Sequence, residues 1–309
     1  ALTGNFAMGI AATVIYLMMI LLMGDILGPI INKFYGFPNI TFPHGTAAPG
    51  FVFALPMNWL FDRIPGLRDW KADPESIQKR FGVFGDSTVM GFLIGLIIGI
   101  LAGYDVAGTG QLAVKTGAVM VIMPKMVALL MEGLTPISES ANDFVKKRFP
   151  RRELYIGMDA ALSVGHPAVL SSSLLLVPIT ILLAVVLPGN TTLPFGDLAT
   201  IPFLVCLMAA VFGGNIIRTV IAGTIYMTSI LYITSWVAPL VTTAAKSANF
   251  DLQGNSTITA LAEGGLWTTW LYVGLTKVLS WGGLAIIGAI VVIGLIYVNK
   301  VLPKKQSVM

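Results

Sequence analysis

The sequence predicts an all-α integral membrane protein with several spans, and two observations carry this prediction. Of the 309 residues, 56% are hydrophobic and only 11% are charged, and the mean hydropathy is +0.84. A soluble globular domain carries about 25% charged residues. Several apolar runs also approach the ~20 residues that a helix needs to cross a bilayer. Composition and run length together exclude a soluble fold.

In the first half of the chain, apolar runs alternate with segments that glycine and proline break. A span is predicted over residues 6–23. The stretch TFPHGTAAPGFVFALPMNWL (41–60) contains three prolines and is predicted as a broken or re-entrant helix. Residues 62–80 form a long charged loop. Two spans follow, 87–102 and 111–131, joined by the turn GYDVAGTG.

In the second half, a basic loop containing VKKRFPRRE leads to a short, glycine-interrupted piece that ends in GHP. The elements predicted after that loop are, in order, this short piece (154–167), a span (169–187), a polar loop (188–197), a pair of apolar helices (198–212 and 220–237), a polar stretch (242–265) and a last span (282–298) with a basic tail.

The positive charges predict the topology. Basic residues favour the cytoplasmic side, so both basic loops, Arg218 and the C-terminal tail are expected inside. The GYDVAGTG turn, the LPFGD loop and residues 242–265 then start from the outer side.

The first residues, ALTGNFAMGI, carry no initiator Met and no basic region, and they therefore do not resemble a signal peptide. We expect the beginning of this segment to lie outside the sequence.

Broken helices are the predicted location of a substrate site. Irregular backbone is tolerated at membrane depth only where protein buries it or where it lines a watery cavity. Secondary carriers bind their substrates at such places. The segments PHGTAAPG, VFGDSTVMG, DAALSVGHPA and LPFGDLATIP have this character.

Asp197, in LPFGDLATI, lies between two apolar runs. An ionised Asp in hydrocarbon costs about 2.5–3.5 kcal/mol on insertion scales, so something must offset that cost. A carboxylate accepts hydrogen bonds from hydroxyls and can act as a general base, which predicts a role at a polyol site. Asp86 lies in the similar sequence Phe84-Gly85-Asp86 but follows a charged loop, so a helix N-cap is the favoured interpretation there.

Other polar residues in the broken segments leave their roles open. For His44 in FPHGT and His166 in VGHPA, a binding role and a satisfied buried role are equally consistent with the sequence. Asp159 is either an N-cap or an intramembrane ligand, and Glu263 has a weaker case because the loop before it is polar. No HxxxH spacing is present and the one cysteine, Cys206, lies in an apolar run. No metal site, disulfide or protein-bound cofactor is therefore predicted.

The sequence contains no Walker-type loop, so the chain is not expected to hydrolyse a nucleotide. Transport would be driven by an ion gradient or by a partner protein. The net charge of +4 is weak evidence for an acidic partner, and no nucleic-acid partner is expected.

The sequence closely resembles the galactitol-type membrane component, enzyme IIC, of the bacterial phosphoenolpyruvate-dependent sugar phosphotransferase system. The resemblance is carried by FPHGTAAPG, IPGLRDWKADPESIQKRFGVFGDSTVMGFLIGLIIGILAGYD, LAVKTGAVMVIMPKMVALLMEGLTPISESA, YIGMDAALSVGHPAVLSSSLLLVPITILLAVVLPGN and LPFGDLATIPF. It covers roughly residues 1–240 and is looser from about residue 242 on.

The resemblance implies a permease that works with cytoplasmic enzymes IIA and IIB, with IIB phosphorylating the sugar from a phosphocysteine. Cys206 does not match a phosphocysteine motif.

Related ascorbate carriers have inverted repeats, a core domain with re-entrant hairpins and an elevator-type motion, and a dimerising scaffold domain, and the resemblance implies the same architecture here. Family proteins are longer at the N-terminus. By that comparison, 1–83 holds the end of the first repeat and the charged loop, 84–240 the second repeat with the substrate region, and 241–309 the outer loop, last helix and basic tail.

The family pattern places the sugar site at the PHGT, GHPAV and PFGD segments, with Asp197 as the candidate base for the sugar hydroxyl. The implied substrate-binding residues are His44, Gly45, Thr46, Gly165, His166, Gly196, Asp197 and Thr200, with Asp86, Asp159 and Glu263 as further candidates.

The predicted function is a phosphotransferase-system permease for a galactitol-like polyol, acting as a homodimer in a bacterial cytoplasmic membrane. The alternative is an ion-coupled secondary carrier in which Asp197 binds a proton or sodium. A channel-like pore is a third interpretation, but no filter motif is present. Dependence on a phosphorylated partner separates the first function from the others.

The basic loops 63–80 and 146–152 are candidate docking surfaces for that partner. The positive-inside rule alone also explains their charge.

Overall fold

A computed structural model describes residues 5–70, 72–81, 86–148, 155–252 and 256–306, and they are almost entirely helical. The helices are α1 (Phe6–Tyr35), α2 (Ala48–Phe61), α3 (Pro74–Phe81), α4 (Ser87–Leu101), α5 (Val106–Arg148), α6 (Ala161–Val164), α7 (Pro167–Val186), α8 (Ile201–Val211), α9 (Ile216–Ser247), α10 (Leu261–Gly264), α11 (Trp267–Leu279) and α12 (Trp281–Gln306). Two short strands, β1 (Ile40–Thr41) and β2 (Ile156–Gly157), and a 3₁₀ turn (Leu198–Thr200) complete the described elements.

Five helices in the described ranges are long and apolar enough to cross a membrane: α1, α5, α7, α9 and α12. They contain 18-residue windows with little charge and high hydropathy. The all-α membrane class that the composition predicts is confirmed.

One predicted span, 87–102, and one predicted apolar helix, 198–212, are shorter than a full crossing. The run 87–102 forms α4, of 15 residues, and the run 198–212 forms the 3₁₀ turn followed by α8, of 11 residues. A 15-residue helix extends about 22 Å, less than the ~30 Å hydrocarbon core. Neither segment crosses the full thickness on its own.

Glycines on one face of α4 let it pack closely against α5. Gly91, Gly95 and Gly99 recur every four residues, the small-residue spacing typical of close helix contacts in membranes. A Cβ added to Gly95 would lie 2.8 Å from the Cα of Ala113. One added to Gly99 would lie 3.0 Å from the Cα of Thr109. The two helices therefore form a hairpin.

Several helices extend further than the apolar runs predict. α1 continues past Pro29 to Tyr35 and ends where Gly36 adopts a φ of 72°. α5 continues through the first part of the predicted basic loop to Arg148, and α9 takes up the start of the predicted outer polar stretch. α11 falls where the sequence analysis assigned no element. The end of an apolar run marks where the chain leaves the hydrocarbon core, and the helix itself can continue beyond that point into polar surroundings.

The two strands join distant broken segments. β1 and β2 pair in parallel, with Ile40 opposite Ile156 and Thr41 opposite Gly157. The amide of Ile156 donates to the carbonyl of Asn39 at 2.8 Å, and the Thr41 hydroxyl donates to the carbonyl of Gly24. The pairing satisfies backbone groups that would otherwise be costly inside a membrane.

α8 lies at the centre of the described structure and packs directly on α2. Leu204, Cys206 and Met208 are fully buried. At Gly50 of α2, an added Cβ would overlap the carbonyl oxygen of Leu204, so the helices touch through their backbones. Rings of Phe61 and Phe212 pack 5.6 Å apart near the ends of the two helices.

Arg218 fixes the loop after α2 to the start of α9. Its guanidinium donates to the carbonyl of Leu67 at 3.0 and 3.1 Å, to Asn58 Oδ1 at 3.0 Å and to Asp62 Oδ1 at 2.8 Å. Its side chain is only 11% exposed. The contacts place Arg218 directly beside the charged loop, and the topology predicted from charge puts both on the same side of the membrane.

We expect Gly50→Ala in the full-length protein to lower the free energy of unfolding by about 1–3 kcal/mol, because the methyl group would push α2 and α8 apart. Gly110→Ala is the matched control, since a Cβ at Gly110 meets nothing within 4 Å. It should be neutral or slightly stabilising. Thermal unfolding of the detergent-solubilised variants measures both, and equal stabilities would contradict the close backbone contact.

Candidate functional site

The PHGT segment connects β1 to α2 and lies against the first turn of α8. The amide of His44 donates to the carbonyl of Phe42 at 2.8 Å. Its ring stacks on Phe203 with centroids 5.6 Å apart and an interplanar angle of 21°. Among the described residues, His44 Nδ1 is buried and has no hydrogen-bond partner. Thr46 is partly buried beside it.

Gly45 is required by a close approach. A Cβ at this position would overlap the hydroxyl of Tyr16 on α1 and lie 3.2 Å from the ring carbon that carries it. The glycine therefore lets a phenol hydroxyl reach the backbone next to His44.

His166 has a structural role that the sequence left open. It is the N-cap of α7, and its Nδ1 accepts a hydrogen bond from the amide of Ala168 at 3.2 Å. Its ring lies 4.5 Å from that of Phe34 and 5.5 Å from that of Tyr35, measured between centroids. An accepting Nδ1 corresponds to the tautomer with the proton on Nε2, which remains a donor. His166 is thus held by capping and aromatic packing.

Gly165 packs against α5. An added Cβ would lie 2.7 Å from Val127 Cγ2 and 3.1 Å from the carbonyl oxygen of Met123. The glycine brings the start of α7 close to the long helix.

Asp197 is anchored by a backbone amide far along the chain. Its Oδ2 accepts a hydrogen bond from the amide of Leu261 at 2.6 Å, at the start of α10. The amide of Thr200 donates to the Asp197 carbonyl at 2.9 Å, and the Thr200 hydroxyl donates to the same oxygen at 2.6 Å. Asp197 is partly buried, and Gly196 is exposed. The amide of Leu261 offsets part of the cost of the carboxylate.

The three segments converge on α8 at different points. The PFGD segment precedes α8, and His44 of the PHGT segment stacks on Phe203 in its first turn. His166 instead contacts Tyr35, whose hydroxyl donates to the carbonyl of Cys206 at 2.7 Å. Cys206 lies about one turn after Phe203. α8 is therefore the element that links both histidines.

The three further candidates act at helix starts or lie outside the described part. Asp86 is the N-cap of α4, and hydrogen bonds from Thr88 lower the pKa of its carboxyl. Asp159 accepts a hydrogen bond from the amide of Ala161 at 2.7 Å, next to the start of α6. The Asp86 contact is the N-cap contact that the sequence favours, whereas the N-cap residue of α6 is Ala160, so Asp159 holds the turn before that helix without being its N-cap. The side chain of Glu263 lies outside the described residues.

Tyr16, Tyr226 and Tyr272 lie in α1, α9 and α11, and no local sequence pattern identifies them as site residues. The rings of Tyr16 and Tyr272 meet edge to face with centroids 5.6 Å apart. Tyr226, fully buried, packs 5.2 Å from Phe53 and 6.0 Å from Trp267. The only signal in the sequence is a hydroxyl-bearing residue within an apolar run, which is also common in packing.

A cavity of about 650 Å³ is lined in part by Tyr272. Its volume falls within the ~300–1,000 Å³ of small-molecule sites. Residues that line it include Asn5, Met8, Leu240, Tyr272, Thr276 and Lys277, and none of the residues nominated from the sequence is among those lining it in the described part of the chain. Within the same ranges, no group of three or more His, Cys, Asp or Glu could hold a metal ion.

The chain is similar to a known family and to curated relatives. The family model EIIC-GAT, described as the PTS system sugar-specific permease component, matches residues 1–255. Two proteins named "PTS system galactitol-specific EIIC component", from Escherichia coli strain K12 and Escherichia coli O157:H7, are each 42% identical over 293 residues. The match covers 95% of this chain and 65% of each relative, so the chain spans less than two thirds of their length. No solved structure matches it.

We expect His166→Ala to destabilise the full-length protein by about 1 kcal/mol through loss of the N-cap, and by more where the ring packing is lost as well. His166→Asn should recover most of the capping part, because Asn also accepts from the Ala168 amide. Thermal unfolding compares the two variants. Equal losses in both would mean that the ring contacts with Phe34 and Tyr35, and not the cap, hold this corner.

Proposed function

The chain belongs to the EIIC-GAT family of phosphotransferase-system sugar permease components, and from this membership we propose that it carries a galactitol-like polyol across a bacterial cytoplasmic membrane. The observation that carries the proposal is the 42% identity to galactitol-specific EIIC components over 95% of this chain. Its five apolar helices of spanning length make it a multi-pass membrane protein. Family membership does not favour the ion-coupled carrier considered as the alternative.

The proposed partners are cytoplasmic enzymes IIA and IIB, with IIB donating the phosphoryl group. The reaction breaks the S–P bond of the phosphocysteine and forms an O–P bond to a sugar hydroxyl, whose proton must go to an acceptor. We propose that the partner docks at the end that carries the loop 62–70. There Arg218 holds the loop in a fixed shape through Leu67, Asn58 and Asp62.

The proposed sugar site is the junction of the PHGT and PFGD segments at the start of α8. His44 supports it best, because its Nδ1 is buried without a partner among the described residues. We propose Thr46, Gly196 and Thr200 as neighbouring contacts. His166 and Gly165 precede α7. We propose that they position this junction through Tyr35, which contacts α8 about one turn after Phe203. Nε2 of His166 is then left to donate a hydrogen bond.

Asp197 is the proposed proton acceptor. Its Oδ2 accepts from Leu261, and a carboxylate retains further lone pairs for a substrate hydroxyl. It precedes α8 whereas Arg218 follows it, so the length of that helix, about 16 Å, separates them along its axis. Proton acceptance during phosphorylation therefore requires that the site reach the cytoplasmic end, as in the elevator motion that the family resemblance implies. The division into residues 1–83, 84–240 and 241–309 and the homodimer belong to the same proposal.

Uptake of labelled galactitol by cells that express the full-length gene tests the function. We expect labelled sugar phosphate inside the cell only when IIA and IIB are both present. Free galactitol that accumulates without them, and is lost with an uncoupler, would establish an ion-coupled carrier in place of this function.

The Asp197→Asn variant distinguishes a catalytic role of the carboxylate, as proton acceptor, from its structural contact with the Leu261 amide. The Asn oxygen can still accept from the Leu261 amide, so we expect normal folding with a loss of phosphorylation rate of about 100-fold or more, the usual contribution of a general base. Asp86→Asn makes the same chemical change at the N-cap of α4 and should leave the rate unchanged. A wild-type rate for Asp197→Asn would leave Asp197 only its structural contact with the Leu261 amide.

A further inference from the structure

Several buried polar side-chain atoms of the described residues have no hydrogen-bond partner, and most of them come from elements around Tyr16. They are His44 Nδ1, Tyr226 Oη, Thr268 Oγ1 and Tyr272 Oη, with Ser172 Oγ and Thr180 Oγ1 on α7 as the others. Buried polar groups in proteins are nearly always hydrogen-bonded, to protein, to water or to a ligand. A group of them in one place therefore points to a ligand.

Contacts through Tyr16 bring these atoms together. The Tyr16 hydroxyl touches Gly45, next to His44. The ring of Tyr16 meets that of Tyr272 at 5.6 Å, and the ring of Tyr226 lies 6.0 Å from that of Trp267, which is on the same helix, α11, as Tyr272. Three helices and the broken segment, α1, α9, α11 and 42–47, thus direct polar groups to one region.

The region has the composition of a site for an uncharged, hydroxyl-rich ligand. Phenol hydroxyls and an imidazole both donate and accept hydrogen bonds, as a polyol hydroxyl does. Rings of Phe53 and Trp267 form an apolar wall beside Tyr226, with centroids 5.2 and 6.0 Å away. Ligand sites combine such aromatic walls with a few polar groups that fix orientation.

We propose that Tyr226 and Tyr272, grouped around Tyr16 beside His44, bind the hydroxyls of the transported polyol and help determine which polyol is accepted. This rests on the proposed function and extends its site from the broken segments to α9 and α11. The cavity of about 650 Å³ that Tyr272 lines adjoins the same region. Thr268 lies one turn before Tyr272 on α11, on the same helix face.

A purely structural role makes the opposite prediction. A buried hydroxyl without a partner destabilises the protein, so replacing it by hydrogen in Tyr→Phe should be neutral or stabilising for the unliganded fold. Only a ligand contact makes the same substitution harmful to binding. Tyr226→Phe and Tyr272→Phe therefore distinguish the two roles while changing the packing very little.

The experiment measures thermal unfolding and the Kd for labelled galactitol on purified full-length variants. We expect Tyr226→Phe and Tyr272→Phe to unfold at or above the wild-type temperature without ligand, and to bind galactitol about three- to tenfold more weakly, the effect of losing one uncharged hydrogen bond. Tyr232→Phe is the matched control, on the same helix as Tyr226 but 41% exposed. It should change neither quantity.

The outcomes separate this proposal from the proposed function. Wild-type affinity in both Phe variants, with galactitol still bound by the parent protein, overturns the tyrosine site and leaves the permease function standing. A marked drop in unliganded stability in both variants also overturns it, since the hydroxyls would then serve the fold. Absence of any galactitol binding by the parent protein overturns both.

Discussion

The direct contact between α2 and α8 is the constraint on which the rest of the structure depends. Both helices are too short to cross a bilayer, so each leaves backbone ends at depth that only protein can cover. Gly50 lets α2 approach the carbonyl of Leu204, and the aliphatic residues of α8 are buried on every side. The longer helices α1, α7 and α9 surround this pair. The spans shield the broken helices, and the broken helices carry the polar segments.

The same constraint explains why similar polar residues have different surroundings. His166 begins a long helix, where its Nδ1 satisfies the amide of Ala168. His44 precedes the short helix α2, yet it does not cap it: α2 has no side-chain cap, and the His44 ring lies on Phe203. The Nδ1 of His166 is occupied by the fold, and the Nδ1 of His44 is buried without a hydrogen-bond partner among the described residues. Asp197 is intermediate, since the amide of Leu261 holds one carboxylate oxygen.

The sequence predicts the features that depend on local chemistry. Apolar runs identify the membrane class, glycine and proline identify the broken segments, and the Gly-Asp pattern before α4 identifies the cap at Asp86. What it misses depends on distant contacts. The pairing of Ile40 with Ile156 joins segments that no local pattern relates. α11, in WTTWLYVGLTKVL, contains threonines, a glycine and a lysine that obscure its apolar character. The tyrosines of α1, α9 and α11 come near one another only through the packing of these helices.

The two ends of α8 impose a condition on any transport mechanism. Asp197 and the amide of Leu261 lie before its first turn, whereas Asn215, which donates to the carbonyl of Trp70 at 2.6 Å, and Arg218 follow its last. A phosphoryl donor docked on the charged loop, as proposed above, would therefore be separated from the junction of the broken helices by the length of α8, about 16 Å. Side-chain motion alone cannot cross that distance. Because α8 is packed on α2 through their backbones, the proposed delivery of substrate to the donor would have to move these two short helices together, as one body, against the helices that surround them.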